Sequence, residues 1–356
     1  MMAWLKNFLF GYSVPVNRSG RSSSSSRQHR SQYRSEEGNV EFQLPPAQRI
    51  APPWTFQIPA SSHELERIKP ALLRQLFRDK DIGKSEGDRA YLARLIDFIG
   101  KEKLELPPFP DVAMQLDRVL KNAEVQMSKV VNIAEKDPAL VQQVWKQATS
   151  AQFAVPPSSF RLAVARIGFD PLWQIAMRTC LYSPVFRAPG YQTAVDQVRV
   201  RGIVAGELAS HLSPMLGGKA YLAGLLHEIG MLIIYKTAAP KGRKSPKASP
   251  AYVTAIGNGN HCSIGVMVAH SWGLGPAVAS GIGYYLEPRL APPEHQELAR
   301  VVKAASIAAA TAEAARQGIE FGGLQALSEM EGLSIDPARL LGMANEIYDG
   351  LAAKNN

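Results

Sequence analysis

Cysteine is scarce in this chain, with two residues, Cys180 and Cys262, in 356. That is too few for a secreted disulfide scaffold or a four-thiolate zinc site. Long apolar runs are missing as well, and nothing approaches the roughly 20 residues that cross a bilayer. From Leu104 onward no segment alternates convincingly like a strand. These absences lead to the expectation of a cytoplasmic protein in a reducing compartment. Acidic charge is the minority, with 40 Lys and Arg against 31 Asp and Glu, for a formal net charge of +9. What is present in quantity is apolar surface. At 46% hydrophobic and 20% charged, the chain has the material for a real core, and its length suits about two average domains.

The composition is uneven along the chain. Residues 1–12, MMAWLKNFLFGY, are apolar but short, and Lys6 sits inside the run. A signal peptide wants a basic start, a longer apolar core and a small-residue cleavage site. Trp4, Leu5, Phe8 and Leu9 share one helical face, which admits weak contact with a membrane surface. The plainer reading is a segment that packs on its own protein or a partner. Residues 13–60 are rich in serine, arginine and proline, a composition that buries too little surface to offset chain entropy, so a disordered linker is expected. Its arginines, Arg18, Arg21, Arg27, Arg30 and Arg34, read as solvated, and no nucleic-acid partner is assigned to them.

Residues 61–103 read as a helical adaptor, with Ser62 capping a first helix and a stripe of Tyr91, Leu92, Leu95, Ile96 and Ile99 along a second. The body of the chain then reads as all-α. Asp111 and Ser128 are expected to cap helices, and Asp137-Pro138 is a strong start signal for ALVQQVWKQA. One continuous helix is expected over KAYLAGLLHEIGMLIIYK, a mobile basic loop over Lys236 to Lys247, and further helices over residues 297–356. The tryptophans Trp145, Trp173 and Trp272 read as core.

Several chemical motifs fail on inspection. GKS at Gly83 to Ser85 lacks the upstream glycine of a phosphate-binding loop. HEIGM at His227 to Met231 has methionine where a zincin needs its second histidine. Cys180 lies in an apolar helix and reads as a buried structural thiol. His227-Glu228 places an imidazole beside a carboxylate inside an otherwise apolar helix, AGLLHEIGMLII. Buried together, such groups demand partners or a metal, and a hydrogen-bonded core histidine is the favoured reading.

Five blocks in order resemble the HDOD family, the HD-related output domain of bacterial signalling proteins. They are LPPFPDVAMQL, IAEKDPALVQQVWKQATSAQF, SSFRLAVARIGFDPLWQIAMR, YLAGLLHEIGMLII and HCSIGVMVAHSWGLGPAVASGIGYYLEP, and they place the domain at residues 104–296. The resemblance implies a multi-helix domain of the HD superfamily acting as a signalling output or scaffold. The wider superfamily includes metal-dependent phosphohydrolases and cyclic-dinucleotide phosphodiesterases, so the implied ligand positions matter. Where such enzymes carry an upstream histidine this chain offers Val200 or Arg201, and the His-Asp pair is His227-Glu228. Tyr284 and Tyr285 stand where metal-binding relatives show paired histidines, Ala305-Ser306 where the last aspartate is expected, and His261 matches a histidine often retained.

A catalytic metal wants three protein ligands and an open position. His227 and Glu228 are therefore read as vestigial, and no metal, cofactor or catalytic residue is expected. The function expected is non-enzymatic, through contact with a signalling protein supplied in trans. Two alternatives stand beside it. One is a divergent metal-dependent phosphohydrolase or cyclic-nucleotide phosphodiesterase. The other is an anion or nucleotide sensor in which Arg201 makes the degenerate pocket anion-friendly.

Overall fold

The computed structural model describes residues 65–353, apart from 79–84, 102–108, 123, 151–154, 241, 243–244, 320–321 and 331–334. The apolar segment 1–12, the stretch 13–60 and the Ser62 cap lie outside the described residues. Among those described, every regular element is helical. The resemblance's all-α architecture is what the chain adopts.

Two helices come first, α1 (Leu65–Arg78) and α2 (Glu86–Gly100). Ser85 closes a capping box with Asp88, which satisfies two orphan amides at the start of α2. Side chains tie both helices to the rest of the fold. Gln75 Nε2 donates to the Gly259 carbonyl at 3.0 Å, and Arg94 Nε to that of Thr237 at 3.2 Å. Asp88 Oδ1 accepts the Ser249 amide at 2.7 Å, which anchors the downstream end of the basic loop.

A layer of five short helices follows: α3 (Asp111–Leu120), α4 (Met127–Ala134), α5 (Pro138–Ala148), α6 (Phe160–Ile167) and α7 (Phe169–Thr179). Asp137 caps α5 as its sequence suggests, accepting from the amides of Ala139 and Leu140 at 2.9 and 3.2 Å. Asp111 and Ser128 do not cap. Asp111 lies inside the first turn of α3, after Pro110, and Ser128 is the second residue of α4, after Gln126. Helix phase there follows packing, since Ala113, Leu116, Val130 and Val131 are buried. Between α6 and α7 the chain turns at Gly168 with φ of 87°, a conformation that glycine alone adopts easily.

The central element is α8 (Gln192–Leu212). From Val198 to Gly206 every residue but the half-buried Val200 is buried, so α8 has no apolar stripe and behaves as a core helix. Around it pack α9 (Gly218–Leu226), α10 (Ile229–Ala238), α13 (Gln296–Arg316) and α15 (Pro337–Ala353). The pair α11 (Pro250–Ser271) and α12 (Gly275–Tyr284) closes the bundle against α10 and α9, and a short α14 (Gly323–Ser328) links the last two long helices. Trp272 is buried, whereas Trp145 and Trp173 are half-buried against the core.

The single helix expected over residues 219–236 is two helices. The break falls at His227-Glu228, where Glu228 has φ of −105° and ψ of 15°. His227 Nδ1 donates to the Gly224 carbonyl at 2.7 Å, taking the acceptor that a continuing helix reserves for the Glu228 amide. Past the break, Gly230 lets α10 lie directly on α11, because a Cβ there would overlap the His261 carbonyl. Lys236 belongs to α10, so the basic loop begins at Ala239.

Candidate functional site

The break between α9 and α10 points Glu228 at the middle of α8, where Arg201 waits. Arg201 and Glu228 are 2% and 1% exposed. Arg201 Nε donates to Glu228 Oε2 at 3.0 Å, and Nη2 lies 2.9 Å from the same oxygen. On the other side Nη1 donates to Glu313 Oε2 of α13 at 2.7 Å. Burial alone would push the arginine down, but the two carboxylates outweigh it and raise its pKa above the usual value. The guanidinium is permanently charged and shared between two acids.

A second group of polar side chains lies beside the triad. His261 Nδ1 donates to the Gly257 carbonyl at 2.9 Å, which leaves the lone pair of its neutral ring on Nε2. That lone pair accepts from the Tyr285 hydroxyl at 2.8 Å, and Cys262 Sγ lies 3.4 Å away. The Tyr285 ring also packs edge-on against His227, with centroids 5.1 Å apart. Burial holds the Tyr285 phenol well above its ordinary pKa and lifts both Cys180, to about 12, and Cys262, so all three keep their protons. Burial pushes His227 down to about 4, with the Arg201 charge adding to the effect. His261 is lowered as well, chiefly by burial. Both imidazoles are neutral at physiological pH.

The expected ligand positions can now be placed. Arg201, His227, Glu228, His261 and Tyr285 do come together; Tyr284 is buried next to them in sequence, and Ala305 and Ser306 are buried in α13. His227 Nε2 and Glu228 Oε1 are 3.9 Å apart, and that carboxylate oxygen has no hydrogen-bond partner. No third donor joins them, because the Tyr285 hydroxyl occupies His261 Nε2 and Arg201 holds Glu228 Oε2 and Glu313. Among the described residues no three His, Cys, Asp or Glu side chains are grouped to hold a metal. The residues present do not fit the divalent ion of the HD superfamily.

Glu313 is the member that sequence reasoning missed. It stands seven residues after Ser306, two turns along the same face of α13, as the one acid in AAATAEAA. An isolated acid in a run of buried alanines was the available signal. Its presence also corrects the expectation that Arg201 makes the site anion-friendly. Two carboxylates against one guanidinium leave no unpaired positive charge for an incoming anion.

The five blocks and this fold agree with a direct comparison. The family model "HDOD domain" matches residues 106–288, just over half of the chain. This chain belongs to the HDOD family. Solved structures are similar at the level of architecture. A "Putative metal-dependent phosphohydrolase" from Shewanella amazonensis SB2B aligns with a TM-score of 0.55 and 20% identity, over 76% of this chain and 100% of that one. A "Putative signal transduction protein" from Marinobacter aquaeolei VT8 aligns at 0.53 and 23%, over 76% and 66% of the two chains. Among curated proteins, an uncharacterized protein of Treponema pallidum is 26% identical over 221 residues, 57% of this chain and 42% of that protein. The match thus spans less than half of that relative's length. No helix among the described residues is long and apolar enough to cross a membrane.

Proposed function

We propose that this HDOD protein is a non-enzymatic output or scaffold module of a bacterial, cytoplasmic signalling circuit, working through contact with a signalling protein supplied in trans. The observation that carries the reading is the position of Arg201. Its guanidinium sits between Glu228 and Glu313, on the carboxylate that the resemblance matches to the acid of the superfamily's His-Asp pair. Metal-dependent hydrolysis of a phosphodiester, the chemistry the wider superfamily implies, uses a metal-bound water lowered to a pKa of about 7, and that requires an open coordination position. A neutral His227 and a hydrogen-bonded His261 supply neither. The name of the Marinobacter neighbour, a signal transduction protein, points the same way. Two buried free thiols, Cys180 and Cys262, suit a reducing compartment.

With the interior filled, recognition falls to the surface. Val155 and Leu162 are 67% and 51% exposed near the start of α6. Arg166, one turn beyond Leu162 on α6, donates from Nη1 to the Val155 carbonyl at 2.5 Å. Met215, between α8 and α9, is 99% exposed. These exposed apolar side chains are the positions at which contact with a partner is tested.

The test has two arms. Affinity capture from the native host should recover a stoichiometric partner that Leu162→Glu or Met215→Glu releases. Purified protein supplied with Mn²⁺ or Fe²⁺ should leave cyclic dinucleotides and bis(p-nitrophenyl) phosphate intact. Metal-dependent hydrolysis that His227→Ala abolishes would replace this reading with the phosphohydrolase alternative. Failure to recover any stoichiometric partner would remove the interaction half of it.

A further inference from the structure

We infer that Arg201 is an internal fixed cation doing the structural work of the missing metal, and that it locks the C-terminal helices over the vestigial site. Three observations carry this. The guanidinium bridges three separate elements: α8 through its own backbone, the α9–α10 break through Glu228, and α13 through Glu313. A divalent ion in a structural site joins elements in this way, by drawing carboxylates from different parts of the chain onto one positive centre. Second, Glu313 lies outside the matched segment 106–288, so the joint reaches past that segment to fasten α13. Third, that helix carries α15 with it. Tyr348 Oη donates to the Ala309 carbonyl at 3.2 Å, and Arg316 Nη2 donates to Asp349 Oδ1 at 2.7 Å and to the Asn345 carbonyl at 2.9 Å. Arg201 therefore positions α13 directly and α15 through it.

The site differs from a metal site in one respect that makes the inference testable. The space between the two acids has the shape and hydrogen-bonding pattern of a planar guanidinium, with donors on opposite edges, and not of a sphere. Removing the side chain should leave a hole that free guanidinium ion fills and a divalent ion does not. The proposal is independent of which partner the surface takes, because it concerns the interior alone.

The experiment is thermal unfolding of the full chain and its Arg201→Ala variant, each with no addition, with millimolar guanidinium chloride, and with millimolar MnCl₂. Arg201→Ala should lower Tm by about 10 °C, the scale expected when buried acids lose their only cation. Guanidinium should restore most of that loss, MnCl₂ should not, and the unmodified protein should respond to neither. Recovery with Mn²⁺, or a Mn²⁺-induced rise in the unmodified protein, would overturn the proposal in favour of a metal site. So would an unchanged Tm in the variant. Should Arg201→Ala fail to fold, Glu313→Gln serves in its place, read by hydrogen exchange. That variant keeps the bond to Glu228 and should speed exchange in α13 and α15 by about tenfold or more, with α10 and α11 little changed. Uniform exchange across all four helices would overturn the lock.

Discussion

Arg199 and Arg201 sit two residues apart on α8, both are buried, and they are opposites in how that burial is sustained. Arg199 faces the periphery. Its Nε donates to the Leu181 carbonyl at 2.7 Å, its Nη1 meets Asp196, which is half exposed, and its guanidinium lies 5.2 Å from the centre of the Tyr182 ring. Every partner there is neutral or open to water. Arg201 faces the core and has only charge to answer it, with Glu228 and Glu313 both nearly inaccessible. A peripheral guanidinium can be lost and its partners re-solvated. In the interior nothing can be re-solvated, so each member of the triad depends on the other two.

The sharpest way to break this contrast is to remove one acid. Glu228→Ala leaves Arg201 with a single partner and should destabilise the protein by about 3–5 kcal/mol, read as a lower urea midpoint at unchanged slope. Replacing Arg201, Glu228 and Glu313 together with Met, Leu and Leu should recover most of that loss, because a packed apolar core needs no counter-ion. A triple variant as unstable as the single one would show that shape, not charge, holds the region.

Acid comes next in size. His227 titrates near 4 in the fold against an ordinary 6.5, so between those values the unfolded chain binds the extra proton. Stability is therefore complete above about pH 6.5 and is lost as pH falls toward 4, by about 3 kcal/mol from this group. His261, also lowered by burial, adds loss of the same sign. Denaturation midpoints measured across that range should flatten in His227→Gln. A slope that does not change would mean the ring is charged in the folded protein.

Arg199→Met should be milder, about 1–2 kcal/mol, since one hydrogen bond to a carbonyl, the exposed pair with Asp196 and one contact with Tyr182 are lost. Its effect should shrink in high salt while that of Glu228→Ala does not, because screening reaches the half-exposed Asp196 and not the buried triad. Smallest of all, Asp137→Ala removes a cap far from both arginines and should lower stability by about 1 kcal/mol in the same urea titration.

Much of the fold is written locally. Asp137-Pro138 marks the start of α5, and the stripe from Tyr91 to Ile99 marks α2, because a cap or a stripe is a property of neighbouring residues. The break at His227 is not local. Apolar residues run through Leu226 and resume at Ile229, and at the break the imidazole holds the Gly224 carbonyl that a continuing helix would use. Asp111 and Ser128 misled for a related reason, since packing of α3 and α4 sets where each helix begins. The six-residue α14 is too short for any periodicity to declare it. Within the site, His227, Glu228, His261 and Tyr285 stand in the motif blocks, and Arg201 is one of two residues, with Val200, at the expected upstream histidine. Glu313 lies 112 residues from Arg201, and no pattern along the chain reports a pairing at that range.

The bond between Arg201 and Glu313 has a practical corollary for anyone trimming the gene. A fragment ending at residue 288 keeps the basic member of the triad and one acid, and leaves α8 and α9 without the helix they pack against. A piece that keeps these joints has to run through α13 and the whole of α15, whose Tyr348 hydroxyl donates to the Ala309 carbonyl and whose Asp349 accepts from Arg316. Cut there, the recombinant protein retains its electrical neutralisation; cut at the motif boundary, it inherits an exposed apolar flank and half a counter-ion.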